Sequence, residues 1–236
     1  MNKKVLATIT ARGGSKRILK KSIVSLLGKP SMVWVIEALK KSKMVNRVIV
    51  DTDSEEMAEV GRRAGAEIPF IRPAHLAEDN TGHLPVLKYE LEFLKEKEEY
   101  VPDAVVLIQP TSPLVSSEEI DACVNLFFSE DLDSVESVFE VPTHFHPYAQ
   151  RIINKDGYTE FLFAEEQKLW KKTGQKPKTY TIANVYCFKP SNLEKFGAIQ
   201  GEKSKSIIVH QSQAVDIDEP FDVSVAEAIK KSSLSA

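Results

Sequence analysis

Short apolar runs alternate with longer amphipathic segments through the first 140 residues, and this alternation restricts the fold more than any other feature. The short runs are rich in β-branched residues, which favour strands, whereas the segments between them repeat apolar residues at helical spacing. The expected strands are 5–10, 47–50, 68–71, 104–109 and 134–138, and the expected helices are 32–41, 55–64, 84–98 and 118–128. This order predicts an α/β fold, with a mostly parallel sheet sandwiched by helices.

Several helix ends are marked by their residues. Asp53 with Glu56, and Ser116 with Glu119, have the spacing of a capping box, in which a side chain accepts from the first turn of a helix. Gly65 stands where a glycine would end the second helix.

Size and charge point to one enzyme-sized domain spanning residues 1–236. With 236 residues and 42% hydrophobic content, the chain can bury a substantial core. A net charge of −3 argues against a general nucleic-acid binder, which presents a broad basic face. Cys123 and Cys187 lie in apolar surroundings, so we expect buried, reduced thiols and a cytoplasmic protein. No run reaches the length of a signal peptide or a membrane span, so no membrane partner is expected.

A basic glycine loop follows the first expected strand. It runs from Ala11 through Gly13 and Gly14 to Lys21, and it carries five cationic side chains between positions 12 and 21. A small-residue loop after a strand exposes successive backbone N–H groups, and the cations add the charge that holds a polyphosphate. A glycine turn with solvated lysines is an equally common explanation of this segment alone.

Polar residues also follow other strands, where ligands of parallel sheets collect. Asp53 comes after the second strand, and a helix cap explains it better than a ligand does. The turn of Gln109, Pro110 and Thr111 comes after the fourth; it offers neutral donors and acceptors suited to a polyhydroxylated substrate, although a rigid connection would use the same residues.

A late pair of carboxylates lies at Asp216 and Asp218. In an extended segment both would point to one face, where they repel unless a cation or lysines lie between them. Mg²⁺ prefers one or two carboxylates together with phosphate oxygens and water, so we predict a magnesium site beside a triphosphate. The alternative is that Asp218 only opens the last helix, near residues 221–231, a role that leaves Asp216 unexplained.

The pattern changes between residues 144 and 181. Asp156-Gly157 predicts a hairpin there, and the hairpin carries aromatic residues that need a partner surface in this chain or in a second subunit. His144 and His146 are expected to pack or to contact a sugar, and neither is assigned as a catalytic base. Strands are expected again at 185–188 and 206–209.

Four segments together resemble the acylneuraminate cytidylyltransferases, which activate sialic acids and related 2-keto sugar acids as CMP-sugars. In chain order these segments are ARGGSKR with Lys21, TDSEEMAEVGRRAGAEIPFIRP with LAED, QPTSPL and DIDEPFD. One such motif would be weak, but four collinear motifs over most of the chain are specific.

The resemblance implies a nucleotide-diphospho-sugar transferase (Rossmann-like) fold, a homodimer joined through the 144–181 excursion, CTP and a 2-keto sugar acid as substrates, and Mg²⁺ as cofactor. It also implies a role for individual residues. Ala11, Arg12, Gly13, Ser15, Lys16 and Lys21 would hold the triphosphate, Arg72 would lie near the cytosine, Gln109, Thr111 and Asn184 would face the sugar, and Asp216 and Asp218 would bind the metal, with Arg12, Lys21 and Asp218 carrying catalysis.

Departures from the family pattern leave the substrate open. Thr10 and Leu19 replace usual prolines, Ser22 replaces asparagine, Val115 replaces a common arginine, and Ala183-Asn184 stands where Asn-Gly is expected. A one-residue slip would turn Asn184 to the opposite face of its strand. The same chemistry with GTP, or a catalytically silent dimeric relative, are the alternatives. A dehydrogenase is disfavoured because the chain has no GxGxxG.

Overall fold

The computed structural model describes residues 3–15 and 18–234. The strands are β1 Val5–Ala11, β2 Ser25–Leu26, β3 Lys29–Pro30, β4 Arg47–Thr52, β5 Ala104–Ile108, β6 Ser134–Glu140, β7 Arg151–Ile153, β8 Thr159–Phe161, β9 Tyr180–Phe188 and β10 Ser204–Ile208. The centre is a six-stranded sheet with the order β10-β6-β9-β5-β1-β4, and two short two-stranded sheets pair β2 with β3 and β7 with β8.

The central sheet confirms the prediction of a mostly parallel arrangement. β1 pairs in parallel with β4 and β5, and β6 pairs in parallel with β10. β9 lies between β5 and β6 and runs antiparallel to both. The return of the chain through β9 therefore joins two parallel groups into one sheet.

Helices cover both faces of this sheet, as predicted. The α-helices of the described residues are α1 Ser31–Lys41, α2 Glu55–Ala64, α3 His83–Glu98, α4 Ser117–Ser129, α5 Ala164–Thr173, α6 Asn192–Lys195 and α7 Pro220–Leu234. The larger core lies on the face of α1 and α4, where Ile9, Ile36 and Val124 are fully buried. On the opposite face Leu87 and Leu94 of α3 pack against the strands. Burial of this apolar surface is the main stabilising term of the fold.

The expected strand at 68–71 is wrong. The chain runs beside the edge strand β4, but it makes only an isolated bridge there, between Ile49 and Glu67. The N–H of Arg72 donates to the carbonyl oxygen of Thr52 at 2.8 Å, and no strand forms between these two contacts. Pro69 has no N–H to donate to a strand ladder, so the β-branched run does not continue the pairing.

Two of the three marked helix ends are confirmed. The Oγ of Ser116 accepts from the N–H of Glu119 at 3.1 Å, and Gly65 ends α2 with a φ of 85°. The expectation for Asp53 is wrong, because Ser54 provides the cap of α2. Asp53 instead accepts from the N–H of Gly13 at 2.8 Å and thereby holds the glycine loop.

The 144–181 segment forms the predicted hairpin, β7 with β8, followed by α5. Several of its apolar side chains are exposed, among them Ile153 at 76% and Leu169 at 61%. His146 is buried, and its Nε2 lies 3.0 Å from the carbonyl oxygen of Pro177, so this side chain packs within the excursion as expected.

Cys123 and Cys187 are buried and free, as predicted. Over the described part of the chain, no helix combines the length and the apolar composition needed to cross a bilayer.

Candidate active site

A cleft of about 360 Å³ opens at the carboxyl ends of β1 and β5. Parallel strands end at the same edge of a sheet, so the loops that follow them meet there. The cleft is lined by Thr10, Arg12, Ser15, Lys21, Ser22, Arg72, Thr81, Gly82, His83, Val86, Gln109, Pro110 and Thr111.

The basic glycine loop forms one side of this cleft. The side chains of Arg12 and Ser15 line it, whereas Ala11 is buried in the core. The guanidinium of Arg12 donates to Asp79 Oδ1 at 3.1 Å and to the carbonyl oxygen of Glu78 at 3.4 Å. Arg12 is thus tied to the LAED segment. The predicted triphosphate ligand Lys16 lies outside the described residues.

The glycine loop and the late aspartates meet directly. Lys21 Nζ lies 2.6 Å from Asp218 Oδ1, although 197 positions separate the two residues in sequence. Lys21 lines the cleft, and Asp218 reaches that cleft through its contact with Lys21. A cation and a carboxylate in such contact can hold phosphate oxygens and a metal ion side by side.

The two late aspartates lie on either side of a buried residue. Ile217 is fully buried, and its N–H donates to the carbonyl oxygen of Thr111 at 2.9 Å. Alternation therefore turns Asp216 and Asp218 outward together, as predicted. Desolvation raises the pKa of Asp216, a hydrogen bond from Thr111 opposes that rise, and the nearby charge of Asp218 adds to it. A shared cation would relieve this repulsion.

A third aspartate lies in the first turn of α7. Asp222 Oδ2 accepts from the N–H groups of Asp218 and Glu219 at 2.9 and 2.8 Å. Asp222 therefore fixes the turn that leads into α7, and the contact of Asp218 with Lys21 gives Asp218 a partner beyond the helix start.

The substrate-side predictions separate into two groups. Gln109 and Thr111 line the cleft. Asn184 does not: it is buried, and its Nδ2 donates to Glu119 and to the carbonyl oxygen of Gln213 at 2.9 Å. The pairing of β6 with β9 shifts register at this level. Such an irregularity can re-aim a side chain, and it corrects the expectation that Asn184 faces a sugar.

Arg72 lies at the inner wall of the cleft. Its Nε donates to Asp51 Oδ1 at 2.7 Å, and its Nη2 donates to the carbonyl oxygen of Asp51 at 2.6 Å. Both side chains are almost fully buried. Burial raises the pKa of Asp51, although the charge of Arg72 opposes that rise.

The start of α3 is a part of the cleft that the sequence analysis missed. Thr81, Gly82 and His83 line it, and Gly82 provides no side-chain cap for the helix. Uncapped N–H groups of a long helix favour an anionic or polar ligand. His83 Nδ1 lies 3.2 Å from Thr10 Oγ1. Desolvation lowers the pKa of His83, and the charge of Arg72 lowers it further. The visible signal was a Thr-Gly pair directly before an apolar-periodic segment.

Residues 6–200 match the sequence profile of a family described as cytidylyltransferase. The chain belongs to the cytidylyltransferase family. It is therefore a nucleotidyltransferase, and the resemblance read from its four motifs is confirmed.

Two relatives of this cytidylyltransferase extend over nearly its whole length. Post-translational flagellin modification protein B of Campylobacter coli is 30% identical, with 98% of this chain and 97% of that protein covered. CMP-N,N'-diacetyllegionaminic acid synthase of Campylobacter jejuni is 28% identical, with 94% of this chain and 93% of that protein covered.

A solved structure with the same fold is that of CMP:2-keto-3-deoxy-manno-octonic acid synthetase complexed with CTP. It has a TM-score of 0.71, is 14% identical in sequence, and covers 98% of this chain and 99% of its own. This similarity confirms the predicted fold class.

Several departures from the family pattern now have a structural place. Val115 is buried in the larger core, Ser22 lines the cleft, and Leu19 is exposed. Thr10 is held beside His83. The residues that differ therefore include two in the wall of the cleft, Thr10 and Ser22.

Proposed function

We propose that the enzyme transfers CMP from CTP to the anomeric hydroxyl of a sialic acid or a related 2-keto-3-deoxy sugar acid and releases pyrophosphate. The observation that carries this proposal is the contact of Lys21 with Asp218 in a cleft of a cytidylyltransferase. The names of the relatives, one a CMP-legionaminic acid synthase, support a sugar acid as the acceptor.

The triphosphate would lie along the glycine loop. Arg12, Ser15 and Lys21 border the cleft and supply two charges and a hydroxyl, while Lys16 is assigned the same role from the family motif. Arg12 now donates to Asp79, so binding would exchange that partly exposed ion pair for a phosphate oxygen. An exposed pair contributes little to stability, so this exchange costs little.

Asp216 and Asp218 would hold Mg²⁺. Within residues 3–15 and 18–234, no group of three or more metal-ligating side chains is present. Two carboxylates on one face nevertheless suit magnesium, which completes its coordination with phosphate oxygens and water. When bound, Mg²⁺ would neutralise phosphate charge and favour the deprotonated form of a coordinated hydroxyl.

The chain contributes to the reaction mainly by positioning and by charge. The anomeric oxygen forms a bond to the α-phosphorus while the bond to the leaving pyrophosphate oxygen breaks. Lys21 would stabilise the charge that develops on that oxygen, and Arg12 would hold the terminal phosphates. Gln109 and Thr111, on the neighbouring loop, would orient the sugar acid, and Arg72 would lie near the base.

We also propose that the enzyme works as a homodimer. The excursion 144–181 exposes Ile153, Leu162 and Leu169, and the edge strand β10 exposes Ile208. A second groove, lined among others by Tyr180, Ile182 and Ile208, connects these two regions. Exposed apolar residues of this kind, together with an open sheet edge, favour a second copy of the chain.

The two free buried thiols are compatible with the cytoplasm, where we place the enzyme.

The reaction is tested by measuring pyrophosphate release from CTP with a panel of sialic, legionaminic, pseudaminic and eight-carbon 2-keto acids. We expect Mg²⁺-dependent release with at least one acid, and a CMP-sugar of the matching mass. Asp218→Asn serves as the inactive control.

The alternatives predict other results in the same assay. Turnover with GTP but not with CTP would reassign the nucleotide. CTP binding without turnover for any acid would favour a silent binding subunit. The absence of both nucleotide binding and turnover would contradict the proposed function.

A further inference from the structure

A buried polar cluster lies behind the wall of the cleft. It consists of Thr8, Asp51, Arg72 and Glu90, each at most 5% exposed. The register of β1 and β4 places Thr10 beside Asp51, and the contacts of Thr8 and Thr10 with α3 show that this face of the sheet looks toward that helix. Glu90 therefore enters the cluster from α3, opposite β1 and β4.

The hydrogen bonds of the cluster use half of the carboxyl oxygens of Asp51 and Glu90. Thr8 Oγ1 donates to Glu90 Oε2 at 2.7 Å, and Arg72 donates to Asp51 Oδ1. The other two carboxyl oxygens, Asp51 Oδ2 and Glu90 Oε1, are buried and find no hydrogen-bond partner among the described residues. A buried oxygen without a partner is costly, and two in one cluster suggest a missing proton.

The charges of the cluster lead to the same conclusion. With both carboxyls ionised, two negative charges would share one buried cation, Arg72. The other nearby cation, Arg47, is already paired with Glu67 and Glu98. One added proton makes the cluster neutral and supplies the donor that the two unpartnered oxygens lack.

We propose that Glu90 is a positioning residue: its protonated Oε1 donates to Asp51 Oδ2, and the resulting acid pair fixes the guanidinium of Arg72 at the wall of the cleft. The structural part of this proposal is the acid pair of Glu90 and Asp51, which depends on this chain alone. The functional part, that a fixed Arg72 improves nucleotide binding, rests on the proposed function.

The titration behaviour agrees with the geometry. Burial raises the pKa of Glu90 to about 8, with the charge of Asp51 adding to the effect and Thr8, Arg72 and Arg47 opposing it. Asp51 also faces Asp53, whose charge raises its pKa. Near neutral pH the pair therefore holds one proton, and that proton is lost at higher pH.

Two substitutions of similar size test the pair. Glu90→Gln keeps an acceptor for Thr8 and provides an N–H for Asp51, whereas Glu90→Met keeps the volume and removes both. We expect Glu90→Gln to bind CTP within about twofold of wild type at pH 7, and Glu90→Met to bind about tenfold more weakly by calorimetry, the size expected when a buried acceptor loses its partner. In turnover, the change should appear in KM for CTP more than in kcat.

The pH dependence separates this role from simple packing. CTP affinity of the wild type should fall above the pKa of Glu90, and in Glu90→Gln this fall should disappear. Equal affinities for Glu90→Met and wild type, or the same fall in Glu90→Gln, would overturn the functional part.

A measurement without nucleotide tests the acid itself. Infrared difference spectra of the free protein should show the carbonyl stretch of a buried carboxylic acid at pH 7, and Glu90→Gln should lack it. Absence of that band in the wild type would overturn the proposal. If the band is present but no variant binds CTP, the proposed function fails while the acid pair stands.

Discussion

Replacing Lys21 by methionine tests the site most directly, because the change should affect catalysis far more than stability. Lys21 Nζ lies 2.6 Å from Asp218 Oδ1, with side-chain exposures of 26% and 45%. Water screens a pair this exposed, so its loss should cost about 0.2–1 kcal/mol of unfolding free energy. For a domain of this size that corresponds to a fall in Tm of no more than about 4 °C.

The expected loss in catalysis is larger. A preorganised donor aimed at charge that develops in the transition state contributes about 3–4 kcal/mol. Lys21→Met should therefore reduce kcat by about 10²–10³. Pyrophosphate release and thermal unfolding, measured on the same preparation, give the two numbers.

Lys20→Met is the matched control. Lys20 is the neighbouring residue and forms its own exposed ion pair, 2.6 Å from Glu56, but it does not line the cleft. We expect similar stability and near-wild-type kcat. A kcat for Lys21→Met within about threefold of wild type would refute the catalytic role of Lys21. An equal loss of activity in both variants would refute it too, because only Lys21 is expected to act as a donor to developing charge.

Three further predictions concern the metal, the dimer and the buried acid. Asp218→Asn should remove most of the rate and weaken Mg²⁺ dependence, and a magnesium titration identical to wild type would contradict the metal assignment. Ile153→Glu, at a 76% exposed position, should convert the dimer to a monomer in light scattering while the circular dichroism spectrum stays unchanged; a persisting dimer would place the interface elsewhere. The folded pKa of Glu90, about 8, lies above its ordinary 4.5, so the folded state holds more protons between these values and stability should fall as pH rises through this window. Glu90→Gln should flatten that dependence in denaturant unfolding from pH 5 to 9, and an unchanged slope would contradict the assignment.

Local pattern was enough to predict most of the secondary structure. Period-two and helical repeats located the strands of the central sheet and the helices α1 to α4 and α7, and the Asp156-Gly157 turn located the hairpin. The short strands β2 and β3 and the helices α5 and α6 were not predicted. The exception at 68–71 shows the limit of the rule, because the β-branched run was counted and the effect of Pro69 on pairing was not.

The candidate site was only partly predictable. Alternation around Ile217 correctly turned Asp216 and Asp218 to one face, since that rule needs only neighbours in sequence. The face of Asn184 could not be predicted, because it depends on the register between β6 and β9, and register depends on a partner strand far away in the chain. The start of α3 was missed for a similar reason, as nothing near Gly82 indicates which strand ends lie opposite.

The sequence by itself determined the α/β class, the order of the elements and the family, because these depend on periodicity and on motifs that are continuous in the chain. Only the tertiary structure decided that Lys21 contacts Asp218, that Asp53 holds Gly13, and that Glu90 lies buried beside Asp51 and Arg72. Each of these contacts joins distant segments, and its chemistry depends on burial and register. Both are properties of the packed sheet and helices, and a local pattern does not carry them.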